Sequence, residues 1–278
     1  MNDTGATFNS DMTALRFLVD AGLDMLVEAE PQDRLAPPPA PERQDAAAAR
    51  TVTRPPPVRP EPLDGEQQAA QTARQIAPAC NTLEELRQAL EGFEGLSIRA
   101  TATQLVFADG NPEADVMIIG EAPGREEDRR GLPFVGESGK LLDRMLAAIG
   151  LDRDTVYITN TVLWRPPGNR KPNPVETEAM LPFLIRHIEL VQPKAIMLAG
   201  GAALSALFGM EARITRERGK WRTHEAAFGP VPLLPLYHPA YLLRQPSLKR
   251  DAWADLRAFR RKLDELGAGG ATMQSSTD

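Results

Sequence analysis

Short apolar strands alternate with amphipathic helices between residues 114 and 266, and this alternation constrains the fold more than any other feature. Each predicted strand is an apolar run, and the helices show three- and four-residue apolar spacing. The predicted strands are 114–120, 154–160, 194–200 and 231–238. The alternation predicts an α/β fold, a three-layer α/β/α sandwich around a short, mostly parallel four-stranded sheet. Pro235, in the last run, indicates an edge strand or a bulge.

The segments on either side of this region set the predicted domain limits. We expect an N-terminal helical segment at 1–30, an α/β domain at 66–266 and a disordered tail at 267–278. Residues 31–65 contain two proline clusters and few apolar side chains, so burial cannot offset the entropy of ordering them. They are therefore predicted to be a disordered linker. A spacer role is favoured over a docking site for an SH3-like partner.

Composition excludes several classes of protein. No apolar run reaches the roughly 18–20 residues that a membrane span needs. The N-terminus also lacks the basic and apolar pattern of a secretory signal, so we expect a cytoplasmic protein with no membrane partner. Cys80 is the only cysteine, and there are three histidines. The chain alone therefore cannot form a disulfide framework, a cysteine-rich zinc site or an all-cysteine iron–sulfur cluster.

The charge is unevenly distributed along the chain. Residues 160–262 hold 17 Lys and Arg against 8 Asp and Glu, a net charge of +9, whereas the remaining residues carry −15. A basic segment within an acidic chain is a mild indication of a polyanion partner such as nucleic acid. Electrostatic binding needs basic side chains that cluster in space, which the sequence does not reveal. Solubility of both halves is the alternative.

The segment after the first predicted strand, 120–136, combines glycines and a proline with acidic side chains. Ligands of parallel α/β sheets bind at the carboxyl ends of the strands, so such segments are the first candidates for a site. A cluster of four carboxylates could bind a metal, act as bases or face solvent. Its members are Glu121, Glu126, Glu127 and Asp128. Phe134 lies in a tight loop, where its ring could face a planar ligand.

Polar side chains also end the second and fourth predicted strands. Asn160 could recognise the edge of a base, because its amide donates and accepts at once. Arg165 and Arg170 in the following loop could hold phosphate. His238 ends the fourth strand, and leucines and cations follow it, as in a wedge that enters a DNA helix. The alternatives are a polar surface loop, and a histidine that caps a helix beside two core leucines.

Five motifs at these positions together resemble the uracil-DNA glycosylase superfamily, most closely its family 4. In order they are GEAPG followed by EED, GLPFVGESG, TN, RPPGNR and HPAYLLR, over roughly residues 96–263. The resemblance implies a monofunctional hydrolase of base excision repair, located in the cytoplasm with the nucleoid. Such an enzyme flips uracil out of DNA, hydrolyses its N-glycosidic bond and leaves an abasic site.

The resemblance also implies roles for residues of this chain. The expected catalytic residues are Glu121, Glu127, Asn169 and His238. The expected base contacts are Ala122, Phe134 and Asn160. The expected DNA contacts are Arg165, Arg170, Leu242, Leu243 and Arg244. In these roles Phe134 stacks on uracil, Asn160 bonds its pyrimidine edge and excludes cytosine, and His238 holds the uracil oxygen as charge develops. The two glutamates and Asn169 position water or stabilise the cationic sugar, and one leucine fills the vacated stack.

The chain departs from the family at one point. Family 4 members carry an iron–sulfur cluster on four cysteines, and the corresponding positions here are Phe93, Leu96, Trp164 and Met180. A cluster needs thiolate ligands, so we predict no cofactor and no metal. The four apolar side chains suit a site filled by packing. The chain is therefore either a cluster-free branch, which the retained motifs favour, or one that has lost the activity.

Several hypotheses remain open at this stage. The chain could be a uracil-DNA glycosylase, a glycosylase for another deaminated base, or a catalytically weak DNA-binding or interaction module of the same fold. A related branch that bonds covalently to DNA uses a histidine after the second strand. Residues 160–186 contain no histidine, so this branch is set aside. We expect a monomer that binds uracil-containing DNA, with the proline-rich arm available for docking to replication or repair proteins.

Overall fold

A six-stranded sheet forms the centre of the protein in a computed structural model that describes residues 64–209 and 213–268. In chain order the strands are β1 (Asp109–Gly110), β2 (Val116–Gly120), β3 (Val156–Asn160), β4 (Ala195–Ala199), β5 (Arg222–Ala226) and β6 (Gly229–Leu236). Their spatial order is β1-β3-β2-β4-β6-β5. The four inner strands are parallel, and each outer strand is antiparallel to its neighbour. The predicted α/β fold is confirmed, with two more strands than the four predicted.

The two additional strands are the outer ones, and neither contains an apolar run. β1 has only two residues, and β5 alternates half-buried and exposed side chains. Because β5 pairs with β6, the strand that contains Pro235 is an interior strand and not an edge. Pro235 lies beyond Leu233, the last residue of β6 in register with β5, so its missing N–H interrupts no bond to that strand.

Helices cover both faces of the sheet. In the part of the chain that the structure describes, they are α1 (Asp64–Ile76), α2 (Leu83–Glu91), α3 (Ser97–Thr101), α4 (Arg125–Arg130), α5 (Glu137–Ala147), α6 (Pro174–Val191), α7 (Gly201–Phe208), α8 (Ile214–Glu217), α9 (Pro239–Arg244) and α10 (Lys249–Glu265). None of these described helices is long and apolar enough to cross a membrane. Local signals explain their starts: the side chain of Asn173 accepts the Glu176 N–H at 2.7 Å, just before α6.

Buried apolar side chains divide into three clusters. Alternate residues of β2 point to opposite faces, so Val116 and Ile118 pack with α5 and α10, while Met117 and Ile119 pack with α6 and α7. These two clusters produce the predicted three layers. A third, which we call the helical cluster, packs α1, α2 and one side of α6 together. Among its members are Leu86, Leu90, Phe93, Leu96, Trp164, Met180 and Phe183.

The carboxyl ends of the four parallel strands lie along one rim of the sheet. Register places Gly120 at the end of β2 beside Asn160 at the end of β3. It likewise places Ala199 of β4 beside Leu236 of β6. The segments that follow these strands therefore leave the sheet side by side, which is the arrangement that brings residues distant in sequence into one site.

The predicted terminal segments lie largely outside the described residues. These are the N-terminal helical segment, the linker up to residue 63 and the tail from residue 269. All described residues belong to one compact unit, Val58–Asp278. The limits predicted for the α/β domain stay predictions.

Candidate active site

Three predicted side chains meet at the strand-end rim. A Cβ atom built on Gly120 would lie 2.2 Å from Asn160 Oδ1 and 2.7 Å from the Phe134 ring, so amide and ring both approach the end of β2. The ring centroids of Phe134 and His238 are 5.5 Å apart, at an interplanar angle of 26°. Phe134, Asn160 and His238 therefore form one group, although three different segments supply them.

The side chain of Asn160 is buried and lacks a protein partner. It is 3% exposed, and no group in residues 64–209 and 213–268 forms a hydrogen bond with its amide. The neighbouring hydroxyls are satisfied: Thr159 donates to Phe107 O at 2.7 Å and Thr161 to Gly120 O at 2.9 Å. Buried amides in folded proteins are normally bonded, so the free amide of Asn160 is suited to a ligand.

His238 has a fixed hydrogen-bonding state. The Ala240 N–H donates to Nδ1 at 3.1 Å, which leaves the proton of the neutral imidazole on Nε2. Burial, together with the charge of Arg244, lowers the pKa of His238 to about 4, against the opposing charge of Glu127. At neutral pH the ring is therefore uncharged and offers one donor, Nε2–H. The helix-capping alternative is also correct, since His238 is the N-cap of α9.

Glu121 directly follows β2 and lines a cavity of about 510 Å³, whose lining does not include Phe134, Asn160 or His238. Thr161 and Lys171 are among the other lining residues. Burial raises the pKa of Glu121 above its ordinary value, although the nearby charge of Lys171 opposes this shift. Its carboxylate accepts no hydrogen bond from the described residues. The cavity thus has a half-buried carboxylate in a mostly apolar wall, with a cation facing the same space.

Glu127 was predicted to position water or stabilise the cationic sugar, but its contacts are to the backbone of the protein. Its carboxylate accepts three backbone N–H groups, from Gly124 at 3.1 Å, Val135 at 3.0 Å and Gly136 at 2.9 Å. Both oxygens are engaged, and the residue is 7% exposed. Glu127 therefore connects the start of α4 to the loop that carries Phe134, and these are the contacts of a loop anchor.

The predicted phosphate contacts after β3 are engaged in bonds within the protein. Arg170 makes two bonds to the fully buried Glu176, at 2.6 and 2.8 Å. Arg165 donates from Nε to Asn169 Oδ1 at 2.7 Å and lies 3.7 Å from Asp128. Both arginines therefore brace the loop. Asn169 is exposed and has a left-handed backbone (φ 55°), so its predicted catalytic role requires the loop to lie over the bound substrate.

The two leucines of the last motif differ in environment. Leu242 is 1% exposed and belongs to the core beside α5, so it cannot enter a DNA helix without leaving that core. Leu243 is 39% exposed. The exposed Arg244 lies 6.0 Å from the ring centroid of Tyr241. The structure therefore removes Leu242 from the predicted DNA contacts and leaves Leu243 and Arg244 available. Ala122 is half-buried and packs against the helical cluster.

The residues at the family's cluster positions do not fit an iron–sulfur cluster. Phe93, Leu96, Trp164 and Met180 are each at most 4% exposed and pack in the helical cluster. Phe93 meets Phe183 edge to face, with ring centroids 5.1 Å apart. None of these side chains supplies a thiolate, and no group of three or more His, Cys, Asp or Glu within the described ranges could hold a metal ion.

Two residues at the site were missed by sequence reasoning. Lys171 stands in the RPPGNRK segment and was only one of several cations there, but it lines the same cavity as Glu121. Arg153, in the turn before β3, bonds the carbonyl oxygens of Pro133 and Phe134. No motif marks Arg153, because its partners come from three separate segments.

Comparison with known proteins finds a matching family model and several similar proteins. The family model described as "Uracil DNA glycosylase superfamily" matches residues 107–257. A protein named Type-4 uracil-DNA glycosylase from Archaeoglobus fulgidus is 37% identical over 189 residues, which cover 66% of this chain and 93% of that protein. Proteins of the same name from Thermotoga maritima and Saccharolobus solfataricus are 41% and 42% identical, over 59% and 57% of this chain and 86% and 76% of theirs.

Proposed function

This chain belongs to the uracil DNA glycosylase superfamily and is a glycosylase of the hydrolase class, and on that premise we propose that it removes uracil from DNA and leaves an abasic site. The single observation that carries the proposal is the buried, unpartnered amide of Asn160 beside an aromatic ring and a neutral imidazole. This combination offers stacking, a donor–acceptor pair and an oxyanion donor to one flat polar ligand.

Asn160 supplies the choice of base. Uracil presents the O4 acceptor next to the N3–H donor, whereas cytosine presents an N4 donor next to an N3 acceptor. One fixed amide orientation matches uracil and leaves two mismatched polar pairs with cytosine. A site built to hydrogen-bond its substrate rejects an analogue strongly when the wrong base leaves buried polar groups unpaired. The packing of Asn160 at Gly120 supports a fixed amide.

Phe134 and His238 act on the bound base in different ways. The Phe134 ring provides a stacking face for the extruded base, a contact worth roughly 1–3 kcal/mol. As the C1′–N1 bond breaks, its electron pair passes to uracil, and negative charge develops on O2. The Nε2–H of neutral His238 is a preorganised donor for that oxygen. A neutral donor stabilises the anion without protonating it.

Glu121 is our candidate for the residue that accepts a proton from the attacking water. Water attacks C1′ as uracil departs, so its oxygen forms the new bond and its proton needs an acceptor. A half-buried carboxylate with a raised pKa is a better proton acceptor than an exposed one. The same charge stabilises the cationic sugar. Asn169 and Lys171 would face the sugar or its phosphates from the loop after β3.

DNA binding is proposed at the same rim. Flipping a base costs a few kcal/mol, and an apolar side chain that fills the vacated stack offsets part of this cost. Leu243 is exposed at the end of α9, next to the cation of Arg244. Lys171 is the exposed cation nearest the Glu121 cavity. These residues follow separate strands and thus support a strand of DNA lying across the rim.

Further parts of the proposal concern the whole chain. We propose that excision needs no iron–sulfur cluster, since the helical cluster fills the place of its ligands with apolar side chains. We also propose that the protein works as a monomer beside the nucleoid, and that the proline-rich segment before residue 64 serves as a linker or docking arm.

The decisive experiment is excision from labelled oligonucleotides. The protein is incubated with single- and double-stranded DNA that contains one uracil, and alkali reveals abasic sites. We expect cleavage at uracil and none with thymine or cytosine at that position. Release of hypoxanthine in preference to uracil would support the broader glycosylase. Binding to DNA without any product would support the interaction module and overturn the proposal.

A further inference from the structure

We propose that Arg153 is a positioning residue that holds the ring of Phe134 in place for the base, an inference that rests on the proposed function. Arg153 follows α5 and precedes β3, and it touches neither Asn160 nor His238. Arg153 contacts the backbone of the loop that carries Phe134. It also contacts two carboxylates, which fix the orientation of its guanidinium.

The guanidinium of Arg153 joins three segments. Nη1 donates to Pro133 O at 3.2 Å, and Nη2 donates to Phe134 O. Nε donates to Asp143 of α5 at 2.9 Å, and Nη1 also pairs with Asp109 of β1. The planar fork of arginine suits this arrangement, because one rigid group directs donors at two consecutive carbonyls and two carboxylates. A lysine ammonium is a point charge and cannot hold all four.

The loop that Arg153 holds has an unfavourable backbone. Phe134 has φ 53°, in the left-handed region that a bulky residue rarely adopts. Its carbonyl packs against Gly139, where a Cβ atom would lie 1.7 Å from the oxygen. Glu127 bonds the two amides that follow Phe134, and Arg153 bonds the two carbonyls at Pro133 and Phe134. Glu127 thus fixes this loop through its amides and Arg153 through its carbonyls.

A structural role elsewhere does not explain these contacts equally well. Arg153 is 26% exposed, and the bonds just described use four of its donor directions, so it is not an open phosphate ligand. Both carboxylates face the guanidinium and not the site. The carbonyls it bonds belong to Phe134 itself and to the residue before it. The ring is therefore the one functional group whose place depends directly on Arg153.

The first experiment is a double-mutant cycle between Arg153 and Phe134 on uracil-containing DNA. We expect R153M and F134A each to lower kcat/KM by about tenfold or more, the range set by base stacking. If Arg153 acts through the ring, the double variant should match F134A within about twofold. R153K should restore only part of the loss. Two independent losses that multiply, or full activity of R153M, would overturn the proposal.

The matched control is Arg186, which is 22% exposed and likewise joins a carbonyl, Cys80 O, to a carboxylate, Glu189. R186M should alter stability as R153M does, but it should leave kcat/KM unchanged and show no coupling to F134A. Thermal unfolding of every variant separates loss of fold from loss of position.

The second experiment does not depend on activity. Amide hydrogen exchange is followed in the peptide 131–139 of the full chain. We expect R153M to speed exchange at Val135 and Gly136 by about tenfold or more, while R186M leaves this peptide unchanged. Unaltered exchange in R153M would overturn the positioning role even if the protein excises uracil. Faster exchange in R153M, combined with no glycosylase activity in the wild-type protein, would support the contact of Arg153 with this loop and reject the proposed function.

Discussion

The strand-end rim and the helical cluster are both largely buried, but in the described part of the chain the rim contains polar side chains without a hydrogen-bond partner and the helical cluster is apolar. At the rim, Asn160 and Glu121 have no hydrogen-bond partner among the described residues. In the helical cluster, Phe93, Trp164 and Met180 pack as in any apolar core. Polar side chains without a protein partner at this rim are free to bind a ligand, so we expect these two to serve the chemistry. The helical cluster contributes stability and no reacting groups.

The largest expected effect tests whether the helical cluster contributes mainly stability. W164A should lower the free energy of unfolding by about 3–5 kcal/mol, because it leaves a cavity in a buried cluster. The activity of the remaining folded protein should stay within about twofold of the wild type. Urea unfolding measures the first quantity, and excision below the melting range measures the second. W253A, at a 43% exposed tryptophan, is the matched control. Equal destabilisation by both changes would contradict the comparison.

The next effect tests whether the strand-end rim carries the chemistry. H238A should lower kcat for uracil excision by about 10²–10³-fold, because it removes the donor placed for the developing oxyanion. Single-turnover excision isolates the chemical step. H238Q, which keeps a side-chain donor, should recover part of the rate. A loss confined to KM would show that His238 binds substrate without stabilising the transition state.

Asn160 should separate stability from activity most clearly. N160A should lower kcat/KM by about 10- to 100-fold through two lost hydrogen bonds to the base. Its free energy of unfolding should stay nearly the same, since the change breaks no hydrogen bond between the amide and the described residues. T159A offers the contrast, because Thr159 donates to Phe107 O within the fold and its loss should destabilise. Destabilisation of N160A as large as that of T159A would indicate a structural amide.

Acid should destabilise the protein through its buried histidines. Burial lowers the pKa of His238 to about 4 and that of His187 to about 3. The unfolded chain takes up these protons below about pH 6.5 and the folded chain does not, so stability present above pH 6.5 is lost as pH falls. Each histidine should contribute a slope of at most about 1.4 kcal/mol per pH unit. Asp255 offsets part of it, because burial raises its pKa to about 6 and the folded chain therefore takes up that proton first. Urea midpoints at several pH values between 7.5 and 5 measure it, and H238Q should have the smaller slope.

The smallest expected effect concerns the edge of the rim. L243A should lower excision from double-stranded DNA by about five- to tenfold and leave excision from single strands unchanged, because only a duplex needs its vacated stack filled. Leu132 is 40% exposed and serves as the control. An equal loss on both substrates would place Leu243 in general binding and not in flipping.

The sequence predicted those parts of the fold that local pattern determines. Apolar runs marked the four parallel strands, and the rule that ligands bind at their carboxyl ends brought Phe134, Asn160 and His238 together correctly. The outer strands were missed because β1 has two residues and β5 is half exposed. A strand that needs only a neighbour's hydrogen bonds leaves little trace in composition.

Tertiary partners decide what the sequence left open. Leu242 and Leu243 are adjacent and chemically identical, and only the packing of α9 on the core distinguishes them. Arg170 was expected to hold phosphate, but a buried carboxylate of α6 takes its guanidinium. Such assignments depend on residues that meet after folding, so neither motif nor spacing predicts them.

The packing of Phe93, Leu96, Trp164 and Met180 has a consequence for how the molecule matures. These apolar side chains pack as the polypeptide collapses, and their packing requires no iron or sulfide. At these four positions the packing relies on encoded side chains alone.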